Sequence, residues 1–196
     1  METIILEAMN RYGLPYIPVP ELFYPFENEE PFKECARCSV ELIESNTEYF
    51  IEKALKPQDT IYEYAVCFSC AESAQQKMSQ DSHQKVKAFF DERMRLIEHR
   101  GSMLEKHDLE YAFWLDHCVV DGTPVSEMQE YQVMAHCQGP NMLFSVFPYC
   151  LGARAADELV SILSAETLEE LDRLGDELID IPPELRSLWH RKPMLV

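Results

Sequence analysis

The chain has 196 residues, the length of one domain or of two small ones. Its content of 46% hydrophobic and 27% charged residues is that of a folded protein, which excludes disorder over the whole length. With 17 Lys and Arg against 35 Asp and Glu, the formal net charge is −18, and a surface this acidic disfavours non-specific binding to DNA, RNA or anionic lipid.

The first third of the chain predicts a short helix, an extended arm and a β-hairpin. Apolar residues place the helix at 2–12. Closely spaced prolines in 14–31 are incompatible with a helix, and the aromatic residues between them predict an arm that packs along a surface. Strands near 47–55 and 60–67 are rich in β-branched and aromatic residues and form the predicted hairpin.

The middle of the chain predicts two helices, at 70–79 and 83–100. The second has apolar residues three and four positions apart, which gives one buried stripe and indicates a long central helix. We expect Gly101 to break this helix. The helical pattern resumes over 104–115.

The C-terminal part predicts a second hairpin followed by two helices. The hairpin has strands at 128–137 and 142–149, and the helices lie near 154–163 and 165–179. Ser164 is the expected N-cap of the last helix, because its side-chain oxygen can accept a backbone N–H that has no partner within the helix.

These elements predict an α+β protein made of three units. Residues 1–31 form the N-terminal helix and the proline-rich arm, 32–80 a module that carries cysteines, and 81–196 an α+β body with acidic C-terminal helices. We expect the long central helix to join the module rigidly to the body.

Two C-x2-C pairs, Cys35 with Cys38 and Cys67 with Cys70, carry the strongest chemical signal. Two residues between the cysteines let both sulfurs of a tight turn face one ion, and two such turns complete a tetrahedral set of four thiolates. Four soft ligands without an open position predict one structural Zn²⁺. The odd number of seven cysteines and the lack of a secretory signal favour a reducing, cytoplasmic location.

The order of knuckle, hairpin and helix around these cysteines resembles a treble-clef or zinc-ribbon type of four-cysteine zinc-binding module. The resemblance covers about residues 34–80, a quarter of the chain, and implies that the four cysteines are the zinc ligands. Ser39 stands where a glycine often follows the first pair. A redox role for one C-x2-C pair and an iron–sulfur cluster remain alternatives.

Two His-Cys doublets, His117-Cys118 and His136-Cys137, offer a second candidate site. If the two doublets converge, they could hold a second metal or support an enzyme or small-ligand site. The plainer interpretation is that both cysteines are small core residues, because neighbours in a strand point to opposite faces. Catalytic sequence motifs are absent, which favours a non-enzymatic role.

The segment 157–184 is strongly acidic and has Arg173 as its only Lys or Arg. The plain interpretation is the solvated side of two amphipathic helices, and the functional one is a docking surface for a basic protein partner. The acidic residues are Asp157, Glu158, Glu166, Glu169, Glu170, Asp172, Asp176, Glu177, Asp180 and Glu184.

The sequence therefore favours a cytoplasmic interaction or adaptor module that contains structural zinc, with no attachment to membranes. An enzyme or small-ligand protein is the second hypothesis. Nucleic-acid binding ranks last, because it would depend on a small basic face near the cysteines. That face would consist of Lys33, Arg37, Lys53 and Lys56.

Overall fold

A six-stranded antiparallel sheet forms the centre of the protein in the computed structural model, which describes residues 13–179. The strand order is β1-β5-β4-β2-β3, and β6 pairs with β4 on the same side as β5. The strands are β1 (Tyr16–Pro18), β2 (Glu48–Lys56), β3 (Asp59–Cys67), β4 (Tyr131–Gln138), β5 (Asn141–Leu143) and β6 (Tyr149–Gly152).

The hairpin predicted between the two cysteine pairs is confirmed as β2 and β3. β2 pairs with β3 on one side and, from Glu48 to Leu55, with β4 on the other. Every residue from Tyr49 to Leu55 is buried, so both faces of this central strand are covered. The predicted division into a cysteine module at 32–80 and a body at 81–196 stays a prediction, although strands from both ranges share this sheet.

The second predicted hairpin is present, but its outer strand is shorter than expected. A turn of two residues, Gly139 and Pro140, joins β4 to β5. The chain then leaves β4, and the backbone N–H of Phe144 donates instead to Pro15 in the arm, at 2.9 Å. After residues 144–148 the chain returns as β6, which pairs with the beginning of β4. The predicted strand 142–149 is thus two short strands.

The α-helices are α1 (Phe68–Gln75), α2 (Gln80–Phe89), α3 (Leu96–His107), α4 (Tyr111–Trp114), α5 (Ala153–Ser161) and α6 (Ala165–Leu178). α1 packs against β2 and β3. None of the helices in the described range combines the length and apolar character that crossing a bilayer requires.

The predicted long central helix is wrong, because the chain breaks at Arg95 and not at Gly101. A π-helical turn over Phe90–Met94 ends at Arg95, whose φ of 47° is left-handed. This turn leaves Phe90 and Met94 buried. Gly101 lies inside α3 with open space around it, where a glycine costs stability but does not end a helix.

The N-termini of α2 and α6 meet in a cluster of four hydroxyl side chains. Ser164 caps α6 as predicted, because its Oγ accepts the N–H of Thr167 at 3.2 Å. Ser79 caps α2 in the same way through Ser82, and the Oγ atoms of Ser79 and Ser164 lie 2.8 Å apart. Each cap therefore satisfies one backbone N–H of its own helix and also contacts the cap of the other helix.

The proline-rich segment is confirmed as an arm that packs along the sheet. β1 extends the sheet beyond β5, and Val19 and Phe23 are buried. Further along, Lys53 Nζ donates to the carbonyl of Tyr24 at 2.6 Å. The predicted helix at 2–12 lies outside the described residues.

Candidate metal centre

The first cysteine pair lies in a tight turn closed by its own backbone. The N–H of Cys35 donates to Val40, and the N–H of Ser39 donates to Cys35, each at 2.9 Å. Ser39 has a φ of 56°, so it takes the left-handed position that glycine often fills in such knuckles. The turn aims the thiols of Cys35 and Cys38 in one direction.

The second pair lies where β3 ends and α1 begins. Cys67 is the last residue of β3 and the N-cap residue of α1, and Cys70 lies in the first turn of that helix. The helix therefore starts two residues earlier than the predicted 70–79 and places both thiols at its N-terminus, where the helix dipole favours negative charge. The backbone N–H of Ala36 in the knuckle donates to the carbonyl of Ala65 in β3 at 2.9 Å, and this hydrogen bond joins the two cysteine pairs.

The four sulfur atoms all lie within 4.8 Å of one another. The Sγ atoms of Cys38 and Cys67 are 3.7 Å apart. A tetrahedral zinc with Zn–S bonds of about 2.3 Å would separate its sulfurs by roughly 3.8 Å, so the spacing fits a four-thiolate metal site. Cys35 and Cys67 are buried, Cys70 is half-buried and Cys38 is exposed. The residues thus fit the metal that the sequence implied.

The thiols differ in how easily they ionise. Burial alone would raise the pKa of Cys35, but N–H groups from Cys67, Cys38 and Arg37 lower it to about 7. Burial raises the pKa of Cys67 and of Cys70, and the negative charge of Cys35 raises both further. The Cys35 thiolate therefore forms readily, and its negative charge opposes ionisation of the Cys67 and Cys70 thiols. A divalent cation at the centre would remove that repulsion.

Arg37 connects the knuckle to the acidic helix α6. Its Nη1 donates to the carbonyl of Cys70 at 3.3 Å, and its Nε donates to Glu177 at 2.9 Å. Two more acids of the C-terminal helices pair with bases elsewhere, Glu158 with Arg93 and Glu170 with Lys77. Part of the acidic segment therefore holds the fold together.

The small basic face expected near the cysteines does not form. Each of its four bases has a carboxylate partner: Lys33 pairs with Glu30, Arg37 with Glu177, Lys53 with Glu63 and Lys56 with Asp59. Lys53 is also buried. These four cations are therefore neutralised locally, which weakens the case for nucleic-acid binding.

The two His-Cys doublets are not brought together. Within residues 13–179, the cysteines at 35, 38, 67 and 70 are the only group of three or more potential metal ligands. His117 is exposed and contacts Asp116, whereas Cys118 is buried, with its Sγ 3.4 Å from the N–H of Gly152. In β4, His136 and Cys137 point to opposite faces, as neighbours in a strand do.

His136 lies in a buried hydrogen-bond chain that the sequence did not indicate. Its Nδ1 lies 3.1 Å from Ser145 Oγ, and its Nε2 lies 2.9 Å from a carboxylate oxygen of Glu48. A Ser-His-acid chain can activate a serine nucleophile. Here Ser145 is only 2% exposed, and Phe50 stacks on the imidazole, so the chain satisfies polar groups inside the core.

A second buried polar cluster surrounds the carboxylate of Glu52 on one face of the sheet. The hydroxyls of Tyr62 and Tyr64 donate to its two oxygens, the first at 2.5 Å, and Gln132 Nε2 donates to Tyr62 at 2.7 Å. Ala54 lies between Tyr62 and Gln132 in the strand register, and its small side chain lets them meet. The pairing of three strands creates this cluster, which no local motif signals.

Comparisons with protein-family models, with curated proteins and with solved structures found no match for this chain.

Proposed function

We propose that this protein is a macromolecular interaction module whose cysteine segment is held by one structural Zn²⁺. In this proposal Cys35, Cys38, Cys67 and Cys70 are the ligands, and the segment is of the treble-clef type. The observation that carries the proposal is the convergence of four thiols from two distant pairs within 4.8 Å. Such a centre would stabilise the fold and leave no open position for catalysis.

The donor set and its surroundings support a single tetrahedral ion such as zinc over a redox role for one cysteine pair. Two thiols lie at a helix N-terminus and two in a knuckle closed by backbone hydrogen bonds, an arrangement suited to a closed tetrahedral site. A redox role would use one pair, whereas here both pairs meet. Four thiols that must stay reduced also support a cytoplasmic location.

The charge of the protein supports a basic protein partner. A net charge of −18 creates a long-range field that attracts cations and repels nucleic acid. The bases near the cysteines are paired with acids, so the surface around the proposed zinc offers no basic patch for phosphates. The proposed role is therefore protein binding by a scaffold that depends on zinc.

The test is the zinc content per chain of untagged protein purified without added metal, together with a thiol count under denaturing conditions. We expect one zinc and seven reducible thiols. Cys70→Ser should lose the zinc, whereas the control Cys118→Ala should keep it, because Cys118 lies outside the cluster. Folded protein without metal would refute the proposal, and two zinc ions per chain would indicate a second metal site, for which the His-Cys doublets are the candidate ligands.

A further inference from the structure

We infer that the solvent-facing side of the proline-rich arm docks a basic peptide segment of another protein, one that carries an apolar anchor side chain. The inference rests on the proposed function and locates the surface that would bind. We call this surface the arm surface, and it consists of Glu21, Leu22, Phe26, Glu27 and Glu29, all of which are exposed.

Exposed apolar side chains are concentrated in the arm. Phe26 is 68% exposed, Leu22 37% and Tyr16 61%. Within residues 13–179, only three other large hydrophobic side chains are exposed to a similar degree, Val40, Ile97 and Phe113. Single exposed hydrophobic residues are common, but half of this set falls within one short segment.

The arm holds these side chains on an anchored backbone. The carbonyl of Pro15 accepts from Phe144, and the N–H of Val19 donates to Pro140 at 3.0 Å. At the other end, the N–H of Phe26 donates to Glu63 at 2.6 Å, so the residue that carries the most exposed ring is tied to β3. A partner would bind a surface that is already ordered, which lowers the entropy lost on binding.

The charge of the arm selects the partner. Residues 13–32 contain four glutamates and no Lys, Arg or His. Glu30 is paired with Lys33, whereas Glu21, Glu27 and Glu29 have no ion-pair partner among the described residues. Several acidic residues of α5 and α6, by contrast, form ion pairs with Lys or Arg side chains of this chain. An apolar anchor against Phe26, flanked by cationic side chains, matches this surface in apolar character and in charge.

The experiment uses the full-length, zinc-loaded protein and three fluorescein-labelled peptides of 12 residues. The first peptide has alternating lysines and a central tryptophan, the second replaces the tryptophan by serine, and the third replaces the lysines by glutamate. Fluorescence anisotropy gives the affinities at low and at high salt. We expect the first peptide to bind at least about tenfold more tightly than the second, as removal of a buried aromatic anchor does at interfaces, and the third not to bind.

Matched variants locate the binding surface. Phe26→Ser should weaken binding of the tryptophan peptide about tenfold, as loss of a hot-spot aromatic does. Ile97→Ser, a control of similar exposure at 70%, should leave the affinity within about twofold. Glu27→Gln should weaken binding more than Glu105→Gln does, although both remove one exposed negative charge.

Other results would overturn the inference. If Phe26→Ser changes the affinity for the tryptophan peptide no more than Ile97→Ser does, the peptide is attracted by net charge alone. If Glu169→Lys in α6 removes binding and Phe26→Ser does not, the proposed basic partner stands but docks on the C-terminal helices. If Phe26→Ser abolishes self-association of the protein, the occupant is a second copy of this chain. If no basic peptide binds the zinc-loaded protein, both the proposed basic partner and the proposed arm surface are refuted.

Discussion

Two buried tyrosines of this sheet should respond differently to loss of their hydroxyl groups. Tyr49 and Tyr149 are both fully buried. The hydroxyl of Tyr49 donates to the carbonyl of Gly139 at 3.0 Å. The hydroxyl of Tyr149 has no hydrogen-bond partner among the described residues. Burial and the nearby Glu52 raise the pKa of Tyr149, so its hydroxyl stays neutral.

The size of each effect follows from these partners. Tyr49→Phe removes one buried hydrogen bond and leaves a carbonyl unsatisfied, which should lower the free energy of unfolding by about 1–2 kcal/mol. Tyr149→Phe removes a buried hydroxyl that has no hydrogen-bond partner among the described residues. That variant should be neutral or more stable by up to about 1 kcal/mol. The two variants should thus differ by about 2 kcal/mol.

Urea unfolding, followed by fluorescence at constant zinc, measures both variants against the parent protein. For a chain of this length, a difference of about 2 kcal/mol corresponds to roughly 4–8 °C in Tm, so thermal unfolding provides a second measurement. If Tyr149→Phe loses as much stability as Tyr49→Phe, the hydroxyl of Tyr149 does have a partner, such as a buried water. The assignment of an unsatisfied group would then be wrong.

The other predictions concern a helix cap and a turn. Ser164→Ala should cost about 1 kcal/mol, because it removes the cap of α6, whereas Ser161→Ala on the exposed end of α5 should cost little, and urea unfolding compares the two. The Glu41 carboxylate accepts three backbone N–H groups, which outweigh its slight burial and lower its pKa to about 2 from 4.5. Glu41→Gln should therefore have a lower free energy of unfolding than the parent at pH 7. This difference should disappear as the pH falls from 4.5 to about 2, because the carboxylate of the parent becomes protonated. A difference that stays constant with pH would show that the charge is not responsible.

Local patterns were enough to predict the elements that depend on local chemistry. The β2–β3 hairpin follows from β-branched residues and a Pro-containing turn, and the cap at Ser164 from its position before an amphipathic helix. The convergence of the four cysteines could also be predicted, because C-x2-C spacing is itself a constraint on ligand geometry. In each case neighbouring residues carry the signal.

The features that could not be predicted arise from pairing between distant segments. The helix breaks at Arg95, next to the buried side chains of Phe90 and Met94, and neither glycine nor proline marks the break. The Glu52 cluster exists only because the register of β2 against β3 and β4 brings tyrosines and a glutamine to one carboxylate. Likewise, the bases near the cysteines suggested a basic face only as long as their partners, such as Glu177 and Glu63, were unknown.

The strand pairing also predicts how far the loss of metal should spread. Cys67 ends β3, β3 pairs with β2 along its length, and β2 pairs with β4 from Glu48 to Leu55. If the cysteines hold zinc as proposed, its binding free energy is of order 10 kcal/mol, comparable with the whole stability of a typical domain.

Hydrogen exchange before and after chelation of the metal should therefore show lost protection in β3 and α1, and also in the amides of β4 that bond to β2. Protection that disappears within 32–80 while β4 stays unchanged would instead show that the cysteine module folds as a separate unit. The cooperativity expected from a shared central strand favours the first result, because β4 cannot keep its bonds to β2 once β2 has lost its other neighbour and become disordered.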